Sequence, residues 1–151
     1  MLRKVLLRGH IAAFSTVFAA ELVLLSLGVA VAIGTSSSVV LPWAAAIAGW
    51  VVRPAALVVL ASGVALALTS SYGPRQGWIA IKLVIVLALM GALFFGLVPN
   101  LERTLGDGGE LSAATLPVAA VISLSLLSVA VLLGLFKPFH TQHGRRPVGG
   151  R

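Results

Sequence analysis

Residues 10–34 read HIAAFSTVFAAELVLLSLGVAVAIG. Glu21 is the only formal charge in this stretch. A bilayer's hydrocarbon core takes about 20 consecutive apolar residues in a helix, so the run is long enough to cross it. Arg3, Lys4 and Arg8 precede it, which is also the layout of a secretory signal. However, the run is about twice the usual apolar region of a signal, it holds a glutamate, and more runs of the same kind follow. A retained first helix is therefore expected.

Moving outward, three further apolar runs cover 41–69, 76–98 and 115–136. Gly34-Thr35-Ser36-Ser37-Ser38 closes the first run, and Ser71-Tyr72-Gly73-Pro74 parts the second from the third. Pro99-Asn100 is expected to end the third, because proline removes a backbone donor and its ring clashes with the preceding turn. Ser112 and Thr115 are N-cap candidates for the fourth, where Pro117 is tolerable in the first turn. The expected fold is all-α: a four-helix transmembrane bundle with short loops over residues 1–136. A basic, flexible tail rich in Gly, Pro and Arg is expected over 137–151.

Composition agrees with that class. Of 151 residues, 59% are hydrophobic and 10% charged, and the mean hydropathy is +1.08. A soluble domain is usually about a quarter charged, and at this length it could not bury so much apolar surface. Cysteine is absent, which removes thiol catalysis, Cys-ligated zinc, iron–sulfur clusters and thioether-linked haem. The net charge of +7 fits basic flanks that orient helices, and no nucleic-acid partner is expected.

Orientation is set by the flanks. Arg3, Lys4, Arg8, Arg75, Lys137, Arg145, Arg146 and Arg151 fall on one side of a four-span layout. Among the basic residues of the opposite loops, 34–40 and 99–111, there is only Arg103, beside Glu102, Asp107 and Glu110. Positive charge collects on the cytoplasmic side, so a multi-pass plasma-membrane protein with both termini cytoplasmic is expected. Trp43, Tyr72 and Trp78 lie near run ends, where amphipathic rings prefer the interface.

Four titratable residues fall within or beside the runs: His10, Glu21, Arg53 and Lys82. A charge at mid-helix costs roughly 2.5–3.5 kcal/mol on insertion scales, so each needs a partner or an escape. Glu21 lies about 20 Å from Gly34 along its helix, and Arg53 about 17 Å from Pro42. Equal depth on neighbouring antiparallel helices predicts a Glu21–Arg53 ion pair, which either fixes helix register or serves binding or proton movement. Pro54 is expected to kink the second helix and free the Trp50 carbonyl. Lys82 can snorkel to the cytoplasmic interface. With His10, and with Glu21 and Arg53, it also forms a possible polar track.

His10 and Glu21 share a helix face, since eleven steps of 100° return to within about 20° of the start. Gly28 falls on that face too and lets a neighbouring helix approach. His10 has no second histidine in the other runs to form a metal or haem site, and His140-x-x-His143 lies in the tail. Ser123, Ser125 and Ser128 can bond their own helix or a neighbour. No nucleophilic triad, phosphate-binding loop or paired carboxylate is present, and Gly106-Asp107-Gly108-Gly109 lacks a P-loop lysine. No enzymatic activity, metal or cofactor is expected.

Short motifs carry a resemblance. Arg8-Gly9-His10-Ile11-Ala12-Ala13, Gly49-Trp50, Pro54, Ser62-Gly63, Tyr72-Gly73 and Trp78-Ile79-Ala80-Ile81-Lys82-Leu83 resemble segments of uncharacterised bacterial four-helix integral membrane proteins. These are a domain-of-unknown-function group common in high-GC actinobacteria and distantly similar to the copper-resistance D membrane domain. The resemblance covers roughly residues 5–98 and implies a four-span bundle with a remote link to copper handling. The chain departs from the pattern in having Arg53 where an apolar residue is the rule, and in lacking a histidine near the outer end of the third run. The expected role is a non-enzymatic helical bundle in the lipid bilayer that acts through a membrane-protein partner or as a homo-oligomer. The alternatives are a transport or permeation component using the Glu-Arg-Lys track, or a copper- or redox-related module.

Overall fold

The computed structural model describes residues 2–69, 77–107 and 115–136. Tyr72, Arg75, Ser112 and the tail over 137–151 lie outside the described residues. Every element among the described residues is helical, in the order α1 (Leu2–Ala32), α2 (Ser37–Ala46), α3 (Arg53–Leu68), α4 (Gly77–Gly91), α5 (Val98–Gly106) and α6 (Thr115–Phe136). Wide π-helical turns, Ile47–Val52 and Ala92–Leu97, join α2 to α3 and α4 to α5. The result is four helices long and apolar enough to cross a membrane: Leu2–Ala32, Ser37–Leu68, Ile79–Gly106 and Thr115–Leu133. A helix satisfies its backbone groups internally, which is why such apolar runs take no other form in hydrocarbon.

The first long helix starts earlier than its apolar run, so Arg3, Lys4 and Arg8 ride on α1 itself. It stops at a Schellman motif. Gly34 takes a φ of +105°, a region open to glycine without a Cβ penalty. Thr35 N–H donates to the Ala30 carbonyl at 2.9 Å and Gly34 N–H to Val31 at 3.1 Å, closing the helix end. The chain re-enters helix at Ser37, so the second long helix runs back along the first. We call the end carrying Leu2 proximal and the end carrying the Gly34 turn distal.

α1 is the centre of the bundle, packed along α3 on one side and α6 on the other. Its buried residues Val17, Ala20, Glu21, Leu24 and Gly28 recur every three to four positions, as one helix face must. At Gly28 α6 packs tightly against α1. A Cβ there would lie 2.6 Å from Pro117 N and 2.7 Å from Pro117 Cδ. On α6 the buried stripe is Leu116, Ala120, Leu127 and Ala130. Outward positions are large and apolar, as at Leu22, Val84 and Val121.

Two helix boundaries differ from the apolar runs, and the second corrects the reading of Pro99 as a stop. The second long helix begins at Ser37 and carries Pro42 inside α2. The third continues through Pro99 to Gly106, well past 98. Each π turn sits just ahead of an X-Pro step, Arg53-Pro54 or Val98-Pro99. Arg53 N–H reaches back five residues to the Ala48 carbonyl, and Val98 N–H five to Leu93. Widening the turn makes room for the proline ring and reroutes the neighbouring bonds, so the helix bends and continues. The expected kink at Pro54 thus takes the form of a wide turn preceding it. In this antiparallel pair α2 lies beside α5 on the distal side. α3 leans on α1 and α4 on α6, so α3 and α4 barely touch.

Candidate functional site

Where α3 and α4 part, the four long helices line a half-open cavity of about 530 Å³. α1 lines it with Phe14, Val17 and Glu21, and the second long helix with Val52, Ala56 and Val59. Leu89, Leu93 and Asn100 come from the third, and Thr115, Ala119, Ser123 and Leu127 from α6. The wall is apolar apart from Glu21 and Ser123 at mid-depth and Asn100 and Thr115 near the distal end.

Glu21 is 6% exposed, the most buried charged residue described. Ser123 Oγ donates to Glu21 Oε2 at 2.6 Å, the length of a hydroxyl bond to a carboxylate. The same hydroxyl lies 3.1 Å from the Ala120 carbonyl, the back-bond common for serine in helices. Oε1 has no hydrogen bond to the protein among the described residues, and the side chain lines the cavity. A carboxylate accepts several hydrogen bonds, so Glu21 presents spare acceptor capacity to an apolar chamber.

Arg53 does not meet Glu21. Its Nη1 donates to Glu102 Oε1 at 3.4 Å, and its guanidinium carbon stands 5.2 Å from the Phe94 ring centroid, within cation–π range. Its Nε is buried with no hydrogen-bond partner among the described residues. The expected Glu21–Arg53 ion pair is therefore replaced by Glu21–Ser123 and Arg53–Glu102. Depth along the axis is one coordinate of a side chain, and the direction around the axis is the other. The wide turn ending at Val52 holds one residue more than an α turn, shifting the phase of the α3 residues after it. That phase sends Arg53 to the third helix, where the continuation past Pro99 brings Glu102 within reach.

His10 docks on the proximal half of α3. Its Nδ1 lies 2.9 Å from Ser62 Oγ. Ser62 spends its one hydrogen on the Val58 carbonyl, so Nδ1–H is the donor and Ser62 the acceptor. Gly63 gives the ring its seat: a Cβ there would be 3.3 Å from His10 Cε1. Lys82 is partly buried in α4, toward the same proximal end. The four titratable residues thus fall into separate places: His10 with Lys82 proximally, Glu21 at the cavity, and Arg53 with Glu102 distally. Among the described residues no cluster of three or more His, Cys, Asp or Glu could hold a metal ion.

Ser123, Glu102 and the Ser62-Gly63 seat were not paired with their partners by sequence reasoning. Ser62-Gly63 had a usable signal, since two adjacent small residues mark a close helix approach. Glu102 lies beyond Pro99, which by itself reads as a helix end. Ser123 continues the Leu116–Ala120–Leu127 stripe, but a helix apolar all round shows no stripe in its sequence. No family model, curated protein or solved structure matches the chain.

Proposed function

We propose that this is a non-enzymatic, multi-pass protein of the bacterial cell membrane, with N and C termini cytoplasmic. Its bundle acts through a partner drawn from the bilayer, a membrane-soluble molecule seated in the cavity between the four long helices. One observation carries the reading: a chamber of about 530 Å³, within the usual range for ligand sites, walled by apolar side chains and holding one buried carboxylate with an unfilled acceptor. An intramembrane ionisable group facing a cavity is expensive, and function is its default explanation. The basic flanks support the orientation, and the bacterial membrane rests on the resemblance of residues 5–98.

The test is retention of a bilayer-derived molecule. The protein extracted in mild detergent is expected to carry an apolar small molecule detectable by native mass spectrometry. Ala119→Trp, which fills the cavity from α6, is expected to abolish that retention while the helical circular dichroism is unchanged. Equal retention by the folded filled variant would overturn the proposal.

A further inference from the structure

We infer that the occupant of this cavity is a lipophilic amine: a protonated nitrogen on a single apolar chain or compact apolar body, with its N–H groups on Glu21. The inference rests on the cavity reading above and names its ligand class.

The argument starts from what Glu21 lacks. It is more than nine-tenths buried, and its hydrogen-bond partner among the described residues is the neutral Ser123 hydroxyl. Arg53, the cation at comparable depth, is held by Glu102 and Phe94. His10 is held against Ser62 at the proximal end. No cation of the protein is paired with Glu21 among the described residues. A carboxylate in a low-dielectric wall is stabilised by an opposite charge that also donates hydrogen bonds. A hydroxyl supplies the hydrogen bond alone, a quaternary ammonium the charge alone, and a protonated amine both.

The rest of the chamber sets the body of the molecule. Asn100 and Thr115 put polar groups only toward the distal end, while Phe14, Val59 and Leu127 leave the proximal end apolar. Phe14 is two helical turns from Glu21, about 10 Å at the helical rise. An apolar tail of that length lies proximally when its amine is at Glu21. The chamber takes one chain or a small ring system of drug-like size.

The test compares dodecylamine, dodecanol and dodecyltrimethylammonium on the full chain in phosphatidylcholine nanodiscs, with empty nanodiscs subtracted for partitioning. Dodecylamine is expected to bind saturably, one per chain, at least about tenfold more tightly than either probe that lacks charge or N–H. Glu21→Gln is expected to erase that preference while dodecanol binding changes less than about twofold, and Ser123→Ala to retain it, since the carboxylate remains. Dodecanol binding as tightly as dodecylamine to wild type overturns the amine assignment and leaves the cavity reading standing. Saturable binding of none of the three, or binding insensitive to Ala119→Trp, overturns both. The wild-type comparison decides the matter even if a variant fails to fold.

Discussion

Replacing Gly28 by alanine tests the packing that sets the cavity wall. The added Cβ would stand 2.6 Å from Pro117 N, 2.7 Å from Pro117 Cδ and 3.0 Å from Leu116 Cβ. Ordinary contact begins near 3.4 Å, so α1 and α6 must part by roughly 0.8 Å. Two of the three obstacles belong to a proline, whose ring and backbone nitrogen cannot rotate away. A gap of about 0.5–1 Å forfeits a quarter to a half of each dispersion contact along the seam, and overpacking of this kind costs about 1–3 kcal/mol. Alanine returns up to about 1 kcal/mol through helix propensity, leaving a net loss of about 0–2 kcal/mol against the wild type and about 1–3 kcal/mol against a glycine-to-alanine change made in open space. Reversible unfolding in mixed micelles, followed by circular dichroism, reads this directly. Gly91→Ala is the control, because nothing lies within 4 Å of its added Cβ, so it is expected to be neutral or stabilising. A Gly28→Ala protein as stable as Gly91→Ala would refute the close approach of α1 to α6.

Three further outcomes are expected. Ser123→Ala, which strips Glu21 of its protein donor, should destabilise by about 1–3 kcal/mol, and the Glu21→Gln, Ser123→Ala cycle should show coupling above ~0.5 kcal/mol in the same unfolding assay. The Glu21→Gln, Arg53→Leu cycle should be additive within about 0.5 kcal/mol, and strong coupling there would restore the ion pair the structure dissolves. Glu102→Gln should cost no more than about 1 kcal/mol, because the Arg53–Glu102 side chains are 28% and 59% exposed and solvent screens the pair; a larger loss in chemical denaturation would count against that geometry. The absence of cysteine makes single-cysteine labelling clean: Thr35→Cys should react with an impermeant maleimide from outside intact cells and Lys4→Cys only after permeabilisation, the reverse pattern inverting the topology.

Much of the architecture was legible because long apolar runs have few ways to satisfy their backbone. Runs of more than about 20 apolar residues have one internally satisfied form, and the structure has four long helices where the four runs were read. The shared face of Glu21 and Gly28 was legible from the 100° step, and both residues are buried. The third helix's end was not legible. Proline reads as a stop when its own helix alone is considered, whereas a wide turn over Ala92–Leu97 lets the chain continue to Gly106. No motif in the one-dimensional pattern separates a proline that ends a helix from one that bends it.

The amino-acid sequence alone determined the number of long helices, the burial of the Glu21 face of α1 and the asymmetry of basic flanks. These depend on length, helical period and net counts, which are properties of each segment taken singly. Only the tertiary structure decided which polar groups meet. Glu21 faces Ser123, Arg53 faces Glu102 and Phe94, and His10 sits on Ser62 and Gly63. Partner choice depends on the direction each side chain takes around its helix axis and on which helices are neighbours. Both are set by packing between segments, through the wide turn before Arg53 and the Gly28 seat on Pro117. In helices apolar on every side, no polar stripe records those choices in advance.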